Sequence, residues 1–242
     1  MKKLFVLGSL ITIFLFLFGC QSEAPLSPYD QDTTSLEKGR IKFTGDLTLN
    51  ESDAGFVKIS LNWNALTGAT GYLITYYNLR DGMQKEVELP GTQTSLDIDY
   101  AMLQVTGNTC EITIQEIKEK KGEEVLFASG SQNFTYTGTA VAEITNITGS
   151  ISQSSVALNY VQLIADWDDI AGTSLYGLKV YSSWGEVYTL SSFGSSFGPT
   201  AFGTHELADG EFISVIFKAW DGSTLKGIGK QNLLILNNNY NF

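Results

Sequence analysis

The chain has 242 residues, with 15 basic against 26 acidic side chains and a net charge of −11. Hydrophobic residues make up 43% of it and aromatics 12%, which is enough apolar material to build packed domains. The acidic balance repels phosphate backbones, so nucleic acid is excluded as a partner class, and it argues against a polybasic grip on anionic lipid.

The first element is a leader. Lys2 and Lys3 precede an apolar run from Leu4 to Phe18, broken only by Gly8, Ser9 and Thr12. A comfortable membrane span needs about 20 apolar residues, so this run reads as a signal peptide over 1–19. It ends Leu17-Phe18-Gly19-Cys20, which resembles the lipobox of bacterial lipoproteins. The resemblance implies cleavage before Cys20, a diacylglycerol on its thiol and a further acyl chain on its amine. Two or more acyl chains hold a protein firmly at a membrane where one holds it marginally. Gln21 stands where an aspartate would favour the inner membrane, so the resemblance implies the outer membrane as address. Loss of Lys2 and Lys3 leaves 13 basic against 26 acidic residues, a net of −13. Cys110 is then the lone free thiol; its setting, Thr109-Cys110-Glu111-Ile112, alternates and reads as an inward residue of a strand.

Residues 20–39 are polar, with Pro25, Pro28 and no apolar period, and read as a disordered tether. The remainder repeats. Gly45 and Gly149, Trp63 and Trp167, and Tyr72 and Tyr176 are each 104 residues apart, a period too long for a solenoid unit and right for a small domain. Two domains are expected, 40–138 and 139–242. Val57, Ile59, Leu61 and Trp63 alternate with polar residues, as do Val161, Leu163, Ala165 and Trp167, and a period of two marks strands. Tyr72, Ile74 and Tyr76 follow, matched by Tyr176, Leu178 and Val180. Cys110, Ile112 and Ile114 come later, matched by Ile213, Val215, Phe217 and Ala219. No stretch has a helical period. About seven short strands per copy predict an all-β fold of two tandem immunoglobulin-like β-sandwiches.

A strand ending in Trp63, a short loop and then Tyr72-x-Ile74-x-Tyr76 resembles the second and third strands of fibronectin type III domains. Trp167 through Tyr181 is similar, with Val180 in place of the last aromatic. The resemblance covers most of both copies and implies a fibronectin type III-like sandwich in each. Three departures stand out. Proline is missing near the first strands, Cys110 and Ile213 replace the tyrosine that opens the family's sixth strand, and Glu116 falls where a small apolar residue is usual. A bacterial immunoglobulin-like domain satisfies the same pattern. Arg80-Asp81-Gly82 has the letters of the family's integrin motif in another order and reads as a hairpin turn.

Residues for chemistry are sparse. The sequence has one histidine, His205, no nucleophile elbow, no phosphate-binding glycine loop and too few His and Cys for zinc. No enzyme and no cofactor are expected; a glycosidase would need paired carboxylates across a cleft between the domains. Asp168 and Asp169 at a strand end are the candidates for a calcium site, against a solvated acidic edge. The segment from Ser191 to Gly203 sets Phe193, Phe197 and Phe202 among Gly and Ser, and reads either as a flexible aromatic loop for a ligand or as a flap tucked over the sandwich edge. With an outward Tyr181, a hairpin Trp184 and Trp220, these residues are the candidate ligand-binding set. Tyr240-Asn241-Phe242 reads as a frayed tail. The function expected is non-catalytic binding, adhesion or spacing at the cell envelope, with another protein as partner. The second reading is a carbohydrate-binding lipoprotein, resembling accessory proteins of polysaccharide uptake, that uses the aromatics of the second domain on a glycan.

Overall fold

The computed structural model describes residues 37–241, apart from 121, 154–159, 186, 207, 209 and 235–239. The leader, Cys20 and nearly all of the tether lie outside the described residues. Every regular element described is a strand.

The first copy contains β1 (Glu37–Lys38), β2 (Phe43–Leu49), β3 (Phe56–Trp63), β4 (Gly71–Asn78), β5 (Met83–Pro90), β6 (Ser95–Leu103), β7 (Thr109–Lys120) and β8 (Glu123–Thr135). They form a three-stranded sheet, β2-β3-β6, against a five-stranded one, β1-β8-β7-β4-β5. The second copy contains β9 (Ala142–Glu143), β10 (Thr148–Gln153), β11 (Tyr160–Asp166), β12 (Leu175–Ser182), β13 (Val187–Ser192), β14 (Ser196–Thr204), β15 (Phe212–Asp221), β16 (Thr224–Leu234) and β17 (Tyr240–Asn241). Its sheets run β14-β11-β10-β17 and β13-β12-β15-β16-β9. Each copy is thus an immunoglobulin-like sandwich, with three consecutive early strands split between sheets in the fibronectin type III manner.

Alternation along the strands fills both cores. Val57, Ile59, Leu61, Ile74, Ile112 and Ile114 are buried in the first, and Val161, Leu163, Leu178, Val180, Val215 and Phe217 in the second. Each tryptophan packs edge-on against its tyrosine, Trp63 on Tyr72 at 5.5 Å and Trp167 on Tyr176 at 5.1 Å between ring centres. Each tyrosine hydroxyl in turn accepts a hydrogen bond from the loop after the tryptophan, from Leu66 N at 2.8 Å and from Ile170 N at 2.7 Å. The repeat legible in the sequence is therefore a repeated device that fastens a loop to a core.

The chain enters both sandwiches alike. Glu37 and Lys38 pair in parallel with Ala128 and Ser129, and Ala142 and Glu143 with Gly227 and Ile228. The last strand carries a glycine at each crossing, because a Cβ at Gly130 would strike the Ile41 carbonyl and one at Gly229 would lie 2.7 Å from the Ile144 carbonyl. Three expectations change here. Glu37 and Lys38, expected in the tether, are strand residues. Tyr240 and Asn241, expected to fray, pair with Ile151 and Ser150. Most of the Gly- and Ser-rich segment after Ser191 is the strand β14, paired along β11 from Ser196 to Thr204. Backbone pairing with a core strand outweighs the low strand propensity of Gly and Ser.

Candidate functional site

The candidate ligand-binding aromatics do not gather into one patch. Phe197 is inward and buried, in the core of the second sandwich, because β14 lies along β11 with Phe197 opposite Ala165. That corrects the flexible-loop reading. Phe202 pairs through its backbone with Val161, and its side chain lies outside the described residues. Trp184 packs partly against the second core, and its indole stacks on the His205 ring at 4.2 Å and 10°. His205 Nε2 is itself 2.7 Å from Glu211 Oε1. Trp220 is half-buried on the outer face of its sheet, with its indole near Gly177. Phe193 is 90% exposed, in the turn between β13 and β14.

Asp168 and Asp169 also have structural partners. Asp168 Oδ2 accepts hydrogen bonds from Thr145 Oγ1 and Asn146 Nδ2, both at 2.7 Å. Asn146 has a φ of +51°, so this contact pins a left-handed corner where the chain enters the second sandwich. Asp169 Oδ1 accepts the Tyr176 hydroxyl at 2.6 Å. Among the described residues no three His, Cys, Asp or Glu side chains come together as a metal site would need. Cys110 is buried, and desolvation pushes its thiol up to about 11.

Tyr181 does point out of its own sandwich, but it is only 4% exposed because the first domain covers it. The outward expectation therefore holds for the sheet and fails for the molecule. Tyr181, Ile216 and Ile228 lie on the outer face of the second five-stranded sheet, since their neighbours Val180, Val215 and Phe217 fill the core. Against them pack Phe56 and Leu103 of the first domain, with Leu79, Tyr100, Val105 and Val141 around the rim.

Polar contacts frame this joint. Lys218 Nζ forms an ion pair with Asp53 and lies 5.3 Å from the centre of the Phe56 ring. Burial pulls the Lys218 amine down, and Asp53 opposes that shift. Asn50 places the partner: its Oδ1 accepts Ser52 N at 3.0 Å and Asp53 N at 3.2 Å, and its Nδ2 donates to the Asp99 carbonyl. On another side Ser214 Oγ donates to the Leu79 carbonyl at 3.2 Å, and Asn232 Nδ2 to the Tyr77 hydroxyl at 2.6 Å. Lys230 lies 4.7 Å from the centre of the Tyr77 ring, and desolvation lowers its amine to about 8. The Arg80 guanidinium lies over Tyr100 at 4.9 Å and Tyr181 at 5.1 Å, bridging the domains. Beside it is a cleft of about 320 Å³ lined by residues of both domains, among them Arg80, Tyr100, Tyr181, Gly185 and Val187.

The connection is also held. Tyr136 donates its hydroxyl to the Thr139 carbonyl at 2.6 Å, Gln104 Nε2 donates to the same carbonyl at 3.0 Å, and Val141 N donates to the Gln104 carbonyl at 3.0 Å. Ile144 N then donates to the Ile228 carbonyl at 2.9 Å, so the link is tied to one sandwich before it reaches the other.

No protein-family model matches the chain, and no curated protein is similar to it in sequence. Solved structures similar to it include tandem fibronectin type III proteins. A two-domain segment of chicken tenascin is 19% identical, with 80% of this chain and 100% of that one covered and a TM-score of 0.28. The first three such domains of chicken CNTN1 are 8% identical, with 83% of this chain and 64% of that one covered and a TM-score of 0.29.

Proposed function

We propose that this chain is a non-catalytic lipoprotein of the cell envelope, anchored through Cys20, whose two sandwiches act as one stiff module for binding or spacing, with another envelope protein as partner. The joint carries this reading. A linker tied at Thr139, Val141 and Ile144, and an apolar contact centred on Phe56, Tyr181 and Ile216, fasten the two domains to each other and support a stiff module. Flexible tandem domains meet through smaller and more polar contacts. A stiff arm suits a task in which distance from the membrane matters.

The glycan reading has less support. A sugar platform needs open aromatic faces, and Tyr181, Phe197 and Trp184 have theirs occupied.

Two measurements test the proposal together. Membrane fractionation should find the parent with membranes and Cys20→Ala in the soluble fraction. Photo-cross-linking from exposed positions in intact cells should yield discrete protein adducts, while a glycan array stays blank. Saturable glycan binding, or Cys20→Ala fractionating with the parent, overturns it.

A further inference from the structure

The chain has two arginines, Arg40 and Arg80, and they are held differently. Arg40 forms an ion pair with Glu37 at 2.6 Å. Arg80 lies at the joint with its guanidinium over the Tyr100 and Tyr181 rings, and among the described residues no carboxylate pairs with it. Its backbone is fixed. Arg80 N donates to Asn78 Oδ1 at 2.8 Å, and Leu79 N donates to the Tyr100 carbonyl at 2.8 Å. The turn Arg80-Asp81-Gly82 thus presents a positioned cation without a counter-charge.

The acids nearby are spent elsewhere. Asp81 has Oδ2 on Lys85 Nζ at 2.6 Å and Oδ1 on Met83 N at 3.2 Å, and Asp53 is paired with Lys218. Lys179, 5.6 Å from the centre of the Tyr181 ring, has no carboxylate partner among the described residues either. Burial pushes the Tyr181 hydroxyl up to about 12, and the charge of Arg80 opposes that shift. Around Tyr181, then, two cations stand unpaired in a chain whose net charge is −11.

Arg80, Asp81, Tyr100, Tyr181, Gly185 and Val187 line the cleft of about 320 Å³ between the domains. Small-molecule sites favour domain interfaces and begin at about 300 Å³. Gly185 leaves room there, with no atom within 4 Å of the position of a Cβ, and Val187, 48% exposed, supplies an apolar wall. A guanidinium stacked by its faces keeps its N–H edge for an acceptor, and the two oxygens of a carboxylate match that edge. Asp81 on the same cleft opposes a doubly charged phosphate more than a singly charged carboxylate.

We propose that the interdomain cleft is a binding site for a small carboxylate, which Arg80 takes by its two oxygens while the apolar body of the ligand rests against Val187. The site uses residues of both domains, so it exists only in the joined pair. It goes beyond the spacer reading and does not depend on the lipid anchor or on a protein partner.

Titration of the detergent-solubilised full chain with benzoate, read by saturation-transfer NMR, tests it. Benzoate is one carboxylate on a small apolar body, and it should saturate with a dissociation constant on the order of 1 mM, as suits a ligand of that size. Benzamide, neutral and similar in shape, should bind at least about tenfold more weakly. Arg80→Met removes the guanidinium, and Val187→Glu sets a rival carboxylate at the cleft from an exposed position. Each should weaken benzoate binding by at least about tenfold. Val187→Glu should also melt with the parent, which separates loss of the site from loosening of the joint. Equimolar inorganic phosphate should not displace benzoate. A benzoate signal that does not saturate, equal affinity for benzamide, displacement by equimolar phosphate, or parent-like binding in either variant overturns the proposal.

Discussion

Gly55 has a φ of +97°, and a Cβ there would sit 2.5 Å from Ile228 Cδ1 and 3.1 Å from Leu225 Cδ2. It is the point where the backbone of the first domain comes closest to the second sheet. Gly107 has a similar φ of +81° with nothing within 4 Å. Gly107→Ala therefore reports backbone strain alone, about 1–2 kcal/mol. Gly55→Ala adds a clash at the joint and should melt several degrees lower than Gly107→Ala, as circular dichroism would show; equal melting contradicts the close approach. Lys230 gives the joint a pH dependence. Its amine is lowered in the folded state from 10.5 to about 8 by burial beside Tyr77, with Asp81 opposing. The unfolded chain then holds more protons than the folded one between about 8 and 10.5, so stability from this group rises with pH across that window. The cost of the buried charge is full below about 8. Lys230→Met removes the charge. The parent should gain stability relative to Lys230→Met as pH rises from 8 to 10, and a constant difference contradicts the assignment.

At the scale of the elements, the sequence was most legible where strands alternate and repeat. Trp63, Tyr72 and their copies at 167 and 176 lie in the cores because a period of two puts them on the inward face. Trp63 is 6% exposed, and Trp63→Ala should cost about 3–5 kcal/mol through the cavity it leaves. A variant that melts with the parent would remove Trp63 from the core. β14 was less legible, because Gly198, Pro199 and Gly203 look like a loop; they fall at the irregularities of its register with β11, and the residues that do pair, Phe197, Thr200, Ala201 and Phe202 among them, carry the strand across them. Glu116 shows where local pattern and register disagree. It faces Tyr72 in register, as Ala219 faces Tyr176, and is fully buried, with Lys118 Nζ 3.2 Å from its carboxylate. A β-bulge follows it, and Ile117 beyond the bulge is fully buried as well. The joint did leave one trace in the sequence. The run Val215-Ile216-Phe217 is apolar on both faces of β15, which signals a strand covered on both sides. Phe56 and Tyr181 gave no such signal, because contact between distant segments is a property of the fold and not of local period.

At the scale of the whole molecule, each sandwich was legible as a unit and their mutual arrangement was not. The angle between them follows from which outer face is apolar, Ile216, Ile228 and Tyr181, and from the loops that reach it, Asp53–Phe56 and Leu79–Arg80. Three members of the ligand set expected on the second domain have other places, Tyr181 in the joint, Phe197 in the core and Trp184 in a stack with His205. What remains is a molecule whose distinctive feature is the joint, and the proposed stiffness rests on it. Pulsed electron spin resonance between labels on Thr44→Cys in β2 and Thr200→Cys in β14, in chains diluted with unlabelled protein, reads that stiffness directly. The parent should give one narrow distance distribution, and Ile216→Asp, which buries a carboxylate against Phe56, should broaden it while leaving both sandwiches folded. A parent distribution as broad as that of Ile216→Asp would contradict the account.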